Sequence, residues 1–247
     1  MTPRISRVLV VSLATTLAAA TLGCGLISKA QDIVGAASVL GDFADRLGKA
    51  AKLTYTAEYQ VNGSNNETST VTLVQQPPNA AFLGKDGGRF ISTAEAMYFC
   101  DTEKGVSTCQ KTPNNAAAAQ ADPTLVAGVT GPGFITPEIA LGLIAAAAFV
   151  PGAKVDQSEK TIAGEKSLCA NATGLEKAAS PGDKSAPKDF SVCITEAGVL
   201  ASFSGTSTDG QAAKIELTNY SATADPTAFN PPPNAKIIDV TTIEPPK

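Results

Sequence analysis

From Leu53 the apolar residues fall into a two-residue period: Leu53, Tyr55, Ala57, Tyr59 and Val61 alternate with Thr54, Thr56, Glu58 and Gln60. That spacing sends the two sets to opposite sides of an extended chain, so the stretch reads as a half-buried antiparallel strand. Residues 62–66, NGSNN, form a turn, and the chain returns over 68–75 through Val71, Leu73 and Val74 until Pro77-Pro78 stops the pairing. Shorter strands are expected over 81–84, 89–92, 96–100 and 106–111, with turns at 85–88 and 101–105. The alternation resumes after a long interruption. Residues 154–169 hold two strands around Ala163-Gly164, and Phe190, Val192 and Ile194 alternate before a turn at 196–198 and a return over 199–203. Residues 205–210 make a further hairpin, Ala213, Ile215 and Leu217 face inward, and a last strand covers 237–242. Two long meanders without a βαβ unit imply an α+β fold of roughly ten strands: one large curved antiparallel sheet, a half-barrel, with two or three helices on its concave face.

The helices are expected in two places. Ile33, Ala37, Leu40, Ala44 and Leu47, with Val34 and Phe43 beside them, form one stripe on a helix over 32–49. Its other face mixes Asp42, Asp45, Arg46 and Lys49, which suits packing on a sheet better than lying on a membrane. Between the meanders, the Ala-rich stretch 114–129 is expected to be partly helical and is broken by Gly131-Pro132-Gly133. Thr136-Pro137-Glu138 then supplies an N-cap, an N1 proline and a first-turn acid for a helix over 139–150, stopped by Pro151-Gly152. The body of that helix, IALGLIAAAAFV, is apolar on every side and too short to cross a bilayer. Either protein surrounds it, or one flank lines a cavity for something apolar.

The beginning of the chain points to a compartment. Arg4 and Arg7 precede an uncharged run over 8–23 that is shorter than the roughly 20 residues a membrane span needs, and the run ends on Leu22-Gly23-Cys24. Ala18-Ala19-Ala20 offers an ordinary signal-peptidase site, whereas Leu22-Gly23-Cys24 resembles a bacterial lipobox. The chain holds five cysteines, an odd number for an exported protein. Thioether lipidation of Cys24 leaves four to pair. The expected organisation is a signal peptide over 1–23, a lipidated tether over 24–31 and one domain over 32–247, held to the cell membrane on its extracytoplasmic face.

Those four cysteines flank turns or inserts, Cys100 with Cys109 and Cys169 with Cys193, and nearest-neighbour bridges are preferred among three connectivities. Neither spacing suits a four-cysteine zinc site, and no Cys-x-x-Cys occurs. Histidine and tryptophan are absent, which removes the commonest general base and a common metal ligand; no metal, cofactor or catalytic residue is expected. Gly131-x-Gly133 lacks the third glycine and the lysine of a phosphate loop, and Ser185-x-x-Lys188 sits in a polar insert without companion motifs. A formal charge of −4 makes nucleic acid a poor partner.

The order of helix, long meander, apolar middle helix and second meander, with the ending Phe229-Asn230-Pro231-Pro232-Pro233 and Ile237-Ile238-Asp239, resembles the outer-membrane lipoprotein carrier (LolA-like) superfamily. So does the step from Pro77-Pro78-Asn79-Ala80-Ala81 into Phe82. Lipid-anchored glycolipid-binding lipoproteins of mycobacteria (LprG-like) share that architecture and carry a lipobox. The resemblance implies a half-barrel whose concave face is plugged by helices, with a cavity for acyl chains between them. On that basis Ile139, Leu143, Ile144 and Phe149, opposite Tyr55 and Tyr59, are the expected lining of a site that binds or transfers a lipid or other hydrophobic ligand without catalysis. An envelope protein-interaction or sensor module on the same fold is the alternative. The four bridging cysteines are not general to the superfamily.

Overall fold

The computed structural model describes residues 25–63, 68–84, 87–114, 137–180, 183 and 186–240, with the backbone alone for 25–37 and 137–138. Residues 1–24 including Cys24, the stretch 115–136 including Gly131-Pro132-Gly133 and Thr136, Ser185, and residues 241–247 lie outside the described residues.

Six strands follow one another in the first meander: β1 (Tyr55–Asn62), β2 (Thr68–Gln76), β3 (Asn79–Gly84), β4 (Arg89–Ser92), β5 (Ala96–Glu103) and β6 (Val106–Pro113). The second contains β7 (Lys154–Ile162), β8 (Glu165–Thr173), β9 (Pro187–Thr195), β10 (Leu200–Ser207) and β11 (Ala212–Ser221). β11 lies against β1, so the meanders fuse into one curved, unclosed sheet of twelve strands in the order β12-β6-β5-β4-β3-β2-β1-β11-β10-β9-β8-β7. This is the α+β half-barrel expected from the alternation, with one departure in strand direction. β12 (Lys236–Asp239) pairs parallel with β6, Lys236 opposite Thr108 and Asp239 opposite Lys111, whereas every other pairing is antiparallel.

The cause of that departure is the path of the chain after β11. Residues 222–235 leave the centre of the sheet and reach its far edge across the convex face. A 3-10 turn at Pro226–Phe229, capped by the Asp225 carboxylate accepting from the Thr227 amide at 2.9 Å, presses Ala228 and Phe229 onto Val74, Ala81 and Ile91. The crossing returns the chain to the edge in the direction of β6. Alternation marks a strand without revealing its direction, so the crossing was not readable from the period.

Two α-helices are present among the described residues. α1 (Gly25–Ala50) begins earlier than the expected start at residue 32: the stretch drawn as a tether continues the helix, having no proline or glycine after Gly25 until Gly35. α2 (Pro137–Ala148) packs beside α1, and together they cover the sheet over β7, β8 and β9. Gln157 on β7 donates to the Asp42 carboxylate of α1 at 3.2 Å, so the helix follows that strand.

Two tight turns and one close approach set the geometry of this end. Lys104-Gly105 and Ala163-Gly164 both have left-handed backbone at each central residue, the arrangement that matches the twist of a two-residue hairpin. Gly198, in the β9–β10 turn with φ of +89°, lies under the backbone of α1, where an added Cβ would overlap the Arg46 carbonyl. The turn is therefore a seat for the helix that no side chain fits.

Gly198→Ala combines left-handed strain with a backbone overlap, and a loss of at least about 2 kcal/mol in urea unfolding is expected. Ala163→Asn relieves a left-handed alanine in an open hairpin and should raise stability by about 0.5–1 kcal/mol in the same assay.

Candidate functional site: an apolar concave face

Strand alternation delivers one continuous apolar surface to the side of the sheet that faces the helices. From β1 come Tyr55, Ala57, Tyr59 and Val61; from β2, Val71 and Leu73; from β4 and β5, Phe90 and Met97. The second meander adds Leu168, Ala170 and Ala172 on β8, Phe190, Val192 and Ile194 on β9, and Ile215 and Leu217 on β11. The helices contribute Val39 and Phe43 from α1 and Ala140, Ile144 and Ala147 from α2. Among the described residues, the buried polar side chains are Ser167 and Thr195, and both stand outside this cluster.

The expected lining residues divide by position. Tyr55, Tyr59 and Ile144 are buried in the cluster, and Leu143 is half-buried against it. Ile139 is half-buried at the start of α2. Phe149 is 85% exposed. At about 100° per residue it stands nearly opposite Ala140, Ile144 and Ala147, the buried side of α2. Its expected place in the lining is thus corrected: the ring lies on the outer side of the helix.

Three aromatic features of the face were not singled out from the sequence. Phe82, Phe90 and Phe99 stand directly opposite one another on β3, β4 and β5, with ring centroids 6.1 and 4.9 Å apart, within the range of favourable ring pairs. Phe190 and Phe203 form a similar contact at 6.5 Å. Tyr220 meets Tyr55 at 6.1 Å because the β1–β11 register slips at Glu58/Tyr59, leaving Thr218 as an extra residue and turning Tyr220 inward. The expected strands 81–84, 89–92 and 96–100, paired end to end, set Phe82 against Ile91 and Phe90 against Tyr98, one residue out of the observed register, and the slip likewise leaves no mark in the period.

The cysteines occupy the other face. Cys100 faces Cys109 across β5 and β6, Cys169 faces Cys193 across β8 and β9, and both pairs are disulfide-bonded. The bridged pairs have Cα atoms 4.0 and 3.9 Å apart, where adjacent strands approach closely. Cys100 has the parity of Tyr98, and Cys169 is one step from Leu168 and Ala170, so both bridges lie on the convex side. They brace each meander by about 3 kcal/mol on the chain-entropy estimate while leaving the concave face free of cross-links. No cluster of three or more His, Cys, Asp or Glu suited to a metal ion occurs among the described residues.

Burial in this apolar setting, with Tyr55 as the lesser contribution, pushes the Tyr59 phenol well above its ordinary value of 10.0. The folded state therefore keeps a proton that the unfolded chain loses. Tyr59 leaves stability unchanged below about pH 10 and lowers it as pH rises further, by up to about 1.4 kcal/mol per unit. Tyr59→Phe should flatten the alkaline fall in urea-measured stability by that one-proton slope; an unchanged slope would place the phenol in contact with water.

No protein-family model matches this chain, and no curated protein matches it either. Solved structures resemble it in sheet-and-helix architecture. The Mycobacterium tuberculosis lipoprotein LppX is 13% identical with a TM-score of 0.40, over 76% of this chain and 97% of that one. In the Pseudomonas aeruginosa MucA/MucB complex the match is 14% identical with a TM-score of 0.45, over 81% of this chain and 63% of that one. A LolA superfamily protein from Nitrosomonas europaea is 8% identical with a TM-score of 0.27, over 74% of this chain and 93% of that one. The likeness is one of fold.

Proposed function

We propose that this protein is a lipid-anchored lipoprotein of the extracytoplasmic membrane face that binds or transfers a lipid or other apolar ligand between its sheet and helices. The observation that carries this reading is the extent of the apolar concave face. It reaches from Phe99 on β5 to Phe190 on β9, while α1 and α2 pack over β7, β8 and β9. Phe82 and Phe99, on the side away from those contacts, are half-buried.

An acyl chain laid along this face would gain about 0.8 kcal/mol per methylene removed from water. Tyr55, Tyr59, Ile139, Leu143 and Ile144 would line its path, with Phe149 at the rim. Entry requires α2 to shift, as a lid does. The helix suits that movement because residues 139–148 carry no charged or hydrogen-bonding side chain, so sliding leaves no polar side chain of that stretch unpaired. Binding of this kind needs no reacting group, and the reading assigns none. The arginine-flanked leader ending on Cys24 and the two disulfides, which persist in oxidising compartments, support export.

Native mass spectrometry of the intact chain, extracted from bacterial membranes in mild detergent, tests both halves of the proposal. The expected result is a first cysteine carrying a diacylglyceryl thioether and a protein mass with additional, reproducible lipid adducts. Leu143→Asp, at a half-buried position, should reduce adduct occupancy about tenfold. A folded protein of bare mass that co-purifies with another polypeptide would instead favour the interaction module.

A further inference from the structure

A second concavity lies at the hairpin end of β7 and β8, away from the apolar face. It is an open cleft of about 370 Å³ lined by Arg46 of α1, Glu159, Lys160 and Thr161 of β7, Lys166 and Ser167 of β8, and Glu196 of the β9–β10 turn. Its walls are held by backbone. The Glu196 amide bonds the Lys166 carbonyl at 3.1 Å, and Gly198, two residues on, packs under the Arg46 carbonyl. Gln157 of β7 reaches α1, so by strand alternation Glu159, and Lys166 across on β8, share the helix side of the sheet with Arg46, whereas Lys160 and Ser167 point to the other side.

Arg46 is the unusual member. Its Nη1 is buried and has no hydrogen-bond partner. The ion pairs among the described residues are Lys111 with Asp239 and Lys214 with Glu216, so neither glutamate of the cleft closes one with Arg46. Burying a guanidinium nitrogen without an acceptor is costly, and a group with several acceptor oxygens removes that cost. The planar fork of arginine matches the oxygens of phosphate, and the Lys166 ammonium on the same side of the sheet raises the local preference for an anion. Glu159 and Glu196 then serve as acceptors for hydroxyl groups attached to it. The volume falls at the small end of ligand pockets, which suits a phosphate bearing a short polyol rather than a larger molecule.

We propose that this cleft binds a polyol phosphate, with Arg46 gripping the phosphate, Lys166 beside it, and Glu159 and Glu196 receiving the hydroxyls. The same chemistry is presented by a soluble glycerol phosphate and by the headgroup of an anionic glycerophospholipid. This site does not depend on acyl-chain binding to the concave face, and the two can fail separately.

The probe for the soluble source is glycerol 3-phosphate, titrated calorimetrically into the intact chain in uncharged detergent and phosphate-free buffer. For the lipid source it is co-sedimentation with phosphatidylglycerol-containing vesicles against phosphatidylcholine alone. Saturable binding in either arm, weakened about tenfold by Arg46→Gln and several-fold by the exposed Lys166→Gln, is expected. Glu196→Gln should leave phosphate affinity unchanged or raise it, because a competing carboxylate is removed, and Lys214→Gln on distant β11 should change nothing. Saturation in the first arm alone identifies a soluble ligand, and Arg46-dependent sedimentation identifies a headgroup. The proposal is overturned if neither arm saturates by about 10 mM, or if Lys166→Gln and Arg46→Gln bind as the parent does. It is likewise overturned if Glu196→Gln lowers the melting temperature as much as Arg46→Gln and no phosphate binds, since the glutamate would then be the partner of Arg46.

Discussion

The pairing of β1 with β11 is the contact on which the rest of the molecule depends. Each meander assembles from neighbouring hairpins, and this pairing joins the part of the inner face under the helices, at β7 to β9, to the Phe82, Phe90 and Phe99 ladder of the first meander. β1 supplies the seam: Tyr55, Ala57, Tyr59 and Val61 meet β2 on one side and β11 on the other. The Thr218 hydroxyl, from the residue left over by the register slip, donates to the Glu58 carbonyl at 3.0 Å across 160 residues of chain. Thr56 adds a bond to the Thr223 carbonyl at 2.8 Å. Closing so long a loop costs little more than closing a medium one, because the entropy grows only with the logarithm of length. Its consequence is kinetic: a sheet completed by its most distant pair folds slowly.

Once the seam is closed, the two sides of the sheet take different work. The convex side carries both disulfides and the crossing segment with Phe229, so its cross-links and its covering come from the chain itself. The concave side carries the aromatic rings and the fully buried Tyr59, and its covering comes from α1 and α2. α1 is held in place by a backbone contact at Gly198, by Gln157 and by the packing of Phe43. α2 relies on apolar contact throughout the stretch after its first turn. The first arrangement resists displacement, and the second tolerates it. In the proposed function the sheet braced from behind stays fixed while the less anchored of the two helices moves to admit the ligand.

Much of this was legible in the amino-acid sequence, for a physical reason. A two-residue period is a direct image of one buried face, so β1, β2, β4 and the strands around Ala163-Gly164 could be placed, as could the inward set Tyr55, Tyr59, Ile215 and Leu217. α1 announced itself by its stripe, although its start at Gly25 did not, since nothing in residues 26–31 distinguishes a tether from a helix. What the period could not carry was non-local. The parallel pairing of β12 depends on which way residues 222–235 cross the sheet. The inward turn of Tyr220 depends on one extra residue opposite Glu58. Arg46 gains its significance only from what lies beneath it in three other elements, whereas the outward side of Phe149 follows from helical spacing against Ala140, Ile144 and Ala147 and was open to reading. Patterns local to an element were readable, and contacts between elements were not.

The central claim is that the concave face receives an apolar guest. Nuclear Overhauser contacts between a carbon-13-labelled acyl chain and the aromatic protons of the intact lipoprotein address it most directly. The account predicts contacts from chain methylenes to Tyr59 and to the Phe82, Phe90 and Phe99 ladder, rings that face one another across the inner surface. Contacts to Phe149 alone, the ring exposed at the end of α2, would mean adsorption on the outside and would contradict it.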